Sequence, residues 1–179
     1  MKKIITLFFF FQVSVCIQTI GQDLKSGLIA YYPLNGNAND ESGNNNHGVV
    51  NGAILTYGRD GSPNTAYYFN GNNSYIDLQQ NFIKDIDFTM SLWFKTDYNG
   101  KINPLISTRH RESSFSHTLV IENGLLELSL DGPGYFKLFQ GKKYVNDNSW
   151  HFVVVTKKST NFNIYIDGSI VQSGSGNIS

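Results

Sequence analysis

Residues 87–96 read DFTMSLWFKT, the clearest alternating pattern in the sequence. Every second position is apolar: Phe88, Met90, Leu92 and Phe94. The positions between them are polar or aromatic: Thr89, Ser91, Trp93 and Lys95. A period of two is that of a β-strand with one face in the core. The pattern predicts a strand whose other face is polar and carries one aromatic ring.

Similar patterns follow toward the C-terminus. A hairpin is predicted across Asn123-Gly124, with its apolar face formed by Leu119, Ile121, Leu126, Leu128 and Leu130. Phe162, Ile164 and Ile166 predict a further strand that ends at Asp167-Gly168. Residues 150–158 are more uniformly apolar, which predicts a central strand covered on both faces.

Turn-forming pairs divide the chain into short segments. Asn-Gly or Asp-Gly occurs at residues 35, 51, 60, 70, 99, 123, 131 and 167, and such pairs tolerate the positive φ of primed hairpin turns. No segment between them has a sustained helical period. Many short strands at this spacing predict an all-β sandwich or barrel.

The N-terminus predicts export. Lys2 and Lys3 precede an apolar stretch over residues 4–20, and small Gly21 follows it, which is the layout of a signal peptide. We expect residues 1–21 to be removed and residues 22–179 to form one domain. An uncleaved anchor helix is the alternative. Cys16, the only cysteine, is a poor lipidation site because Val15 precedes it. Cleavage would leave no disulfide.

Charge gives no indication of a polyanionic partner. The formal net charge is +0, and the predicted domain has no run of like charges. Nucleic acid and anionic membrane surfaces are therefore not expected partners.

Three passages resemble the laminin G-like (LamG) domains of the concanavalin A-like lectin/glucanase superfamily. They are residues 28–48, beginning LIAYYPLNGNANDESGN; residues 66–77, which lead into the strand at residues 88–94; and residues 150–168, which include WHFVVV and NIYIDG. The resemblance implies an antiparallel two-sheet jelly-roll sandwich. It also implies that the chain lacks its C-terminal closing strand or strands, which would leave the opening strand, residues 28–34, with an unpaired edge.

A calcium site is one hypothesis for the loop of residues 35–46, which is dense in oxygen-bearing side chains. Calcium takes about six to eight oxygen ligands. The resemblance favours Asp40 as a ligand, with Asn37 and Asn44 beside it, although the spacing is not that of an EF-hand. Alternatively, these side chains only bond the backbone of consecutive turns.

A glycan-binding face is a second hypothesis. Trp93 and Tyr165 point away from the core residues of their strands, and Glu127 and Ser129 are expected on neighbouring strands. Aromatic rings with polar neighbours suit sugar binding. The alternative is that loops cover this face and that the two rings are second-layer packing.

Catalysis has little support, and no catalytic residue is predicted. Glycosidases of this superfamily carry two glutamates on one strand, about 5 Å apart in retaining enzymes. Here Glu122 and Glu127 lie on different predicted strands, and the four histidines are scattered and expected at the surface or half-buried. The resemblance implies a binding domain, and we expect one that is secreted or at the cell surface and recognises a glycan or a cell-surface protein. A glycoside hydrolase and a structural adhesion or spacer domain are the alternatives.

Overall fold

The structure is a computed structural model that describes residues 25–79, 87–100, 102–107, 116–132 and 135–175. The predicted signal peptide, residues 1–21, lies outside the described residues, as do Cys16 and His110. Within those ranges the chain forms strands and turns and no helix. Accordingly, the described part contains no helix that is long and apolar enough to cross a membrane.

The N-terminal part forms two small antiparallel sheets. They contain β1 (Val49–Asn51) paired with β4 (Tyr75–Asp77), and β2 (Ile54–Thr56) paired with β3 (Ala66–Tyr68). The segment of residues 28–34, expected as the opening strand, has no strand partner among the described residues. It lies instead along the loop of residues 40–46.

The remaining strands form two larger antiparallel sheets. One sheet has the order β12-β11-β10-β5, built from β5 (Phe88–Lys95), β10 (Trp150–Lys158), β11 (Asn161–Ile166) and β12 (Ser169–Ser175). The other has the order β6-β7-β8-β9, built from β6 (Asn103–Ser107), β7 (Ser116–Glu122), β8 (Leu125–Gly132) and β9 (Tyr135–Tyr144). We call them the β5 sheet and the β8 sheet.

The core lies between these two sheets. Buried side chains of both contribute to one cluster: Phe94, Leu119, Ile121, Leu126, Leu128, Phe139, Val145, Val153, Val155, Phe162, Ile164 and Ile166. Phe139 of β9 meets Phe162 of β11 with 5.7 Å between ring centroids. Two sheets that share one apolar interior are a β-sandwich. The predicted fold class, an all-β antiparallel two-sheet sandwich, is confirmed.

Two of the predicted turns have the primed geometry. Asn123 and Gly124 have φ of 50° and 81°, and Asp167 and Gly168 have φ of 51° and 80°. Positive φ at both central residues defines a type I′ turn, which matches the twist of the flanking strands. These turns set the pairing of Glu122 with Leu125 and of Ile166 with Ser169.

Strand β10 corrects one expectation. It is central, between β11 and β5, as predicted. However, its residues alternate between buried and half-buried, so only one face lies in the core. Phe152 and Val154 belong to the other face and remain partly open to solvent.

Candidate functional site

The outer face of the β5 sheet carries an apolar stripe that crosses four strands. Directly paired residues of neighbouring strands share a face. The register pairs Trp93 with Phe152, and Tyr165 with both Val154 and Ile170. All five side chains therefore lie on the face opposite the core, and we call them the outer stripe.

The outer stripe is partly open. Trp93 is 45% exposed and Ile170 is also exposed, whereas the three residues between them are half-buried. Hydroxyl and amide side chains flank the stripe on the same face: Thr89, Ser91, Thr156, Asn163 and Ser173. An apolar strip bordered by hydrogen-bonding groups has the composition of a ligand-binding surface.

Trp93 is more enclosed than the sequence indicates. Phe152 stacks on it, with ring centroids 4.9 Å apart, and the guanidinium of Arg59 lies 4.6 Å from the indole centroid. Arg59 comes from the loop between β2 and β3, so a cation–π contact joins this loop to the outer stripe. Much of the indole surface is thus already in contact with protein. Tyr165 and Ile170 have no comparable ring contact among the described residues.

Glu127 does not lie beside Trp93 and Tyr165. It lies on β8, in the other sheet, paired with Val120 and Gln140. The expectation that it neighbours the two aromatic rings is therefore wrong. Its side chain is only 5% exposed, and Gln140 donates a hydrogen bond of 3.2 Å to its carboxylate. Burial raises the pKa of Glu127, and the charge and hydrogen bond of Glu122 raise it further.

The loop of residues 35–46 is organised around Asp40, which is 6% exposed. One carboxylate oxygen accepts the backbone N–H groups of Tyr31 at 2.8 Å and Ser42 at 2.9 Å. The other accepts the Ser42 hydroxyl at 2.8 Å and the backbone N–H of Asn46 at 3.0 Å. Burial opposes ionisation, but these four donors outweigh it and hold the pKa of Asp40 well below its usual range.

The side-chain amides of Asn37 and Asn44 also bond backbone groups in or next to this loop. Asn37 Oδ1 accepts the backbone N–H of Asn39, and Asn44 Nδ2 donates to the carbonyls of Leu28 and Ile29. Each Asp40 oxygen already has two protein donors, so this arrangement does not fit a calcium ligand set. In the described ranges, no three histidine, cysteine, aspartate or glutamate side chains are placed to hold a metal ion. Calcium binding stays a prediction from the sequence.

A second polar cluster surrounds His151, which was expected at the surface or half-buried, and its charged members are exposed. The His151 side chain is buried, and its ring nitrogens face two carboxylates, Asp167 at 2.9 Å and Asp147 at 3.1 Å. The Asp167 carboxylate also accepts hydrogen bonds from Lys143 Nζ at 2.6 Å and from the backbone N–H of Phe152 at 2.9 Å. Because Lys143 belongs to the β8 sheet, the cluster ties the two sheets together.

Asp40 and Asp167 make stability depend on pH. Burial opposes ionisation of Asp167, but the hydrogen bonds from Lys143, Phe152 and His151 hold its pKa well below its usual range. A carboxyl whose pKa is lower in the folded state stabilises that state above its unfolded pKa, about 3.9. That stability is lost as the pH falls toward the folded pKa. We expect the free energy of unfolding to be level from pH 7 to about 5 and to fall steadily below that.

Urea unfolding at a series of pH values tests this expectation. The double variant Asp40→Asn and Asp167→Asn is the control, because neither amide titrates. Its stability should fall much less between pH 5 and pH 3. A parallel decline in the variant and the wild type would show that other carboxyls are responsible.

Comparisons with known proteins agree on the fold. A laminin G family model, described as the concanavalin A-like lectin/glucanases superfamily, matches residues 69–179. No curated protein matches the chain at a significant level. The binding domain of Paraclostridial Mosquitocidal Protein 1 is similar in structure, with a TM-score of 0.60 and 23% identity over 76% of this chain and 37% of that one. The chain thus spans little more than a third of that structure.

Two further solved structures are more distant. Domains LG4-5 of the mouse laminin alpha1 chain give a TM-score of 0.47 and 18% identity, over 54% of this chain and 25% of that one. An S-layer domain-containing protein from Clostridium thermocellum gives a TM-score of 0.49 and 21% identity, over 81% of this chain and 71% of that one.

Proposed function

Because this chain belongs to the concanavalin A-like lectin/glucanases superfamily, with a family model matched over residues 69–179, we propose that it is a non-catalytic binding domain acting outside the cell. Its ligand is a glycan or a surface protein, and the outer stripe is the binding surface. The observation that carries this proposal is the partly exposed apolar stripe across β5, β10, β11 and β12. The similar toxin structure is itself a binding domain, which supports the same reading.

The surroundings of Glu127 support a non-catalytic role. A glycosidase needs two carboxyl groups that both reach a sugar between them. Glu127 is buried and hydrogen-bonded to Gln140, and Glu122 lies against it from the neighbouring strand. A carboxyl pair in mutual contact leaves no room for a sugar ring between its members.

A glycan array, together with binding to intact cell surfaces, tests the proposal. We expect binding that weakens about tenfold or more in Tyr165→Ala and in Ile170→Ala, because residues central to an interface carry most of its free energy. Tenfold corresponds to about 1.4 kcal/mol. Tyr144→Ala is the matched control, since Tyr144 is exposed but lies on the β8 sheet. Its affinity should equal that of the wild type.

Two outcomes contradict the proposal. Ligand binding that is equal in all three variants would place the site elsewhere on the domain. New reducing ends released from a bound glycan, and abolished by Glu127→Gln, would identify a hydrolase instead.

A further inference from the structure

The turn between β2 and β3 brings a cation to one end of the outer stripe. Arg59 is exposed, and its guanidinium carbon lies over the Trp93 ring, 4.6 Å from the ring centroid. A guanidinium that rests on an aromatic face can still donate hydrogen bonds, because its N–H groups form a planar fork. Trp93 therefore supports Arg59 and leaves part of its guanidinium open to a ligand.

Hydrogen bonds within the turn fix the backbone from which Arg59 extends. The N–H of Gly58 donates to the carbonyl of Ser62 at 2.9 Å, and the N–H of Gly61 donates to the carbonyl of Gly58 at 3.1 Å. Asp60, the acidic neighbour of Arg59, accepts the N–H and the hydroxyl of Ser62 on its two oxygens, at 3.0 and 3.1 Å. This carboxylate is thus engaged by its own turn. A backbone that is ordered before binding lowers the entropy cost of binding.

The four strands that carry the outer stripe have an excess of positive charge. β5, β10, β11 and β12 contain no aspartate or glutamate. Lys95 and Lys158 are exposed and, by the alternation of their strands, lie on the same face as the stripe. The formal net charge of +0 for the whole chain therefore conceals a local excess of cations. Such a surface attracts an anionic ligand.

We propose, as a refinement that rests on the proposed function, that the outer stripe binds a glycan whose sugars carry carboxylate groups and that Arg59 holds one of them. Two parallel N–H groups of a guanidinium match the two oxygens of a carboxylate. Tyr165 lies two strands away from Trp93, which is about 10 Å across the sheet. Neighbouring sugars of one chain can therefore contact Tyr165 with an apolar face and Arg59 with a carboxylate.

The spacing of the cations favours a carboxylated sugar over a polysulfated chain. Polysulfated chains are bound by dense clusters of lysine and arginine. Here Lys95 pairs with Trp150 at one end of β10, whereas Lys158 lies at the other end of that strand. Lysine also acts as a point charge, and only arginine offers the planar fork that a carboxylate matches. Arg59 is therefore the residue expected to select the ligand.

An array of acidic oligosaccharides, each beside its methyl ester, tests this ligand class. The oligosaccharides carry galacturonate, glucuronate, mannuronate, guluronate or sialate, and esterification removes the charge but keeps the sugar. At least one acid should bind about tenfold or more tightly than its ester, and Arg59→Gln should reduce its binding to the level of the ester. Lys142→Gln is the matched control, because Lys142 is exposed on β9 of the other sheet. This control should bind like the wild type, and both variants should melt like it.

Arg59→Lys separates the fork from the charge, and it should restore only part of the binding that Arg59→Gln loses. Equal binding of every acid and its ester would overturn the carboxylate class, as would equal binding by the Arg59→Gln and Lys142→Gln variants. Neutral glycans that bind through Tyr165 but not through Arg59 would overturn it too, yet leave the proposed function standing. A preference for dextran sulfate over every carboxylate would identify a polysulfated ligand instead. An array without any bound glycan would also overturn this class and leave a surface protein as the ligand.

Discussion

Replacing Asp40 with alanine is expected to lower the free energy of unfolding by about 3 to 5 kcal/mol. The substitution removes the acceptor of four hydrogen bonds, three of them from backbone N–H groups. A buried donor left without a partner costs about 1 to 3 kcal/mol, and water can reach part of this loop. A loss of this size is large beside the roughly 5 to 15 kcal/mol of a typical domain.

Asp60 provides the matched control for this prediction. It also accepts a backbone N–H and a hydroxyl from the serine two residues later, but it does so in an exposed turn. Urea unfolding of Asp60→Ala should therefore resemble that of the wild type. Asp40→Asn, which retains one acceptor oxygen, should fall between the two. Losses of similar size in Asp40→Ala and Asp60→Ala would show that the Asp40 contacts do not stabilise the fold.

The same unfolding series addresses calcium. A ligand that binds only the native state stabilises it, by about 2.7 kcal/mol at a hundredfold excess over Kd. Because the Asp40 oxygens are already engaged, we expect millimolar calcium to leave the melting temperature unchanged. A rise that Asp40→Ala abolishes would establish the calcium site predicted from the sequence.

Replacing Asp167 with alanine is the second large change, with an expected loss of about 2 to 3 kcal/mol. The buried ring of His151 loses one of its two carboxylate partners, and the N–H of Phe152 loses its acceptor. Alanine is also unfavourable at a φ of 51°, where Asp and Asn are tolerated better. Part of the charge interaction is screened, because the Asp167 side chain is 35% exposed.

Two control variants divide this loss into its parts. Asp167→Asn keeps the turn and an acceptor for Phe152 but removes the charge. Lys143→Ala removes only an exposed ion pair, which is worth about 1 kcal/mol or less. Thermal melting should rank the variants, from least to most damaging, as Lys143→Ala, Asp167→Asn and Asp167→Ala. If Lys143→Ala is the most damaging, the ion pair of Lys143 with Asp167 stabilises the fold more than the contact of Asp167 with His151 does.

Alternation in the sequence predicted the faces of strands well. Phe94, Phe162, Ile164 and Ile166 are buried as expected, and Trp93 and Tyr165 share the outer face. This success has a simple reason, since side chains in a strand point to opposite faces with a period of two. In β10 the pattern failed, because its outer face carries Phe152 and Val154 and so reads as apolar as its inner one.

Sheet membership is the information that alternation lacks. Glu127 was correctly placed opposite the core residues of its strand, but the period of two does not say to which sheet a strand belongs. Arg59 was missed because it reaches Trp93 from a loop, and no periodic signal marks such a contact. The contact of His151 with Asp167 was likewise missed, because only the register of β10 and β11 brings this turn residue close to the ring.

The order of strands in the β5 sheet has a consequence for the route by which the protein folds. Strands β6 to β9 form a meander of neighbours, and so do β10 to β12, so each can assemble from contacts that are local along the chain. The pairing of β5 with β10, which begins at Lys95 and Trp150, is different, because the whole β6 to β9 meander lies between these two strands in the sequence. Closing a long loop costs entropy before any contact compensates for it, which makes such pairings slow. We infer that the docking of β5 onto β10 limits the rate of folding, so a Phe152→Ala variant, which loses the ring that stacks on Trp93, is expected to fold more slowly.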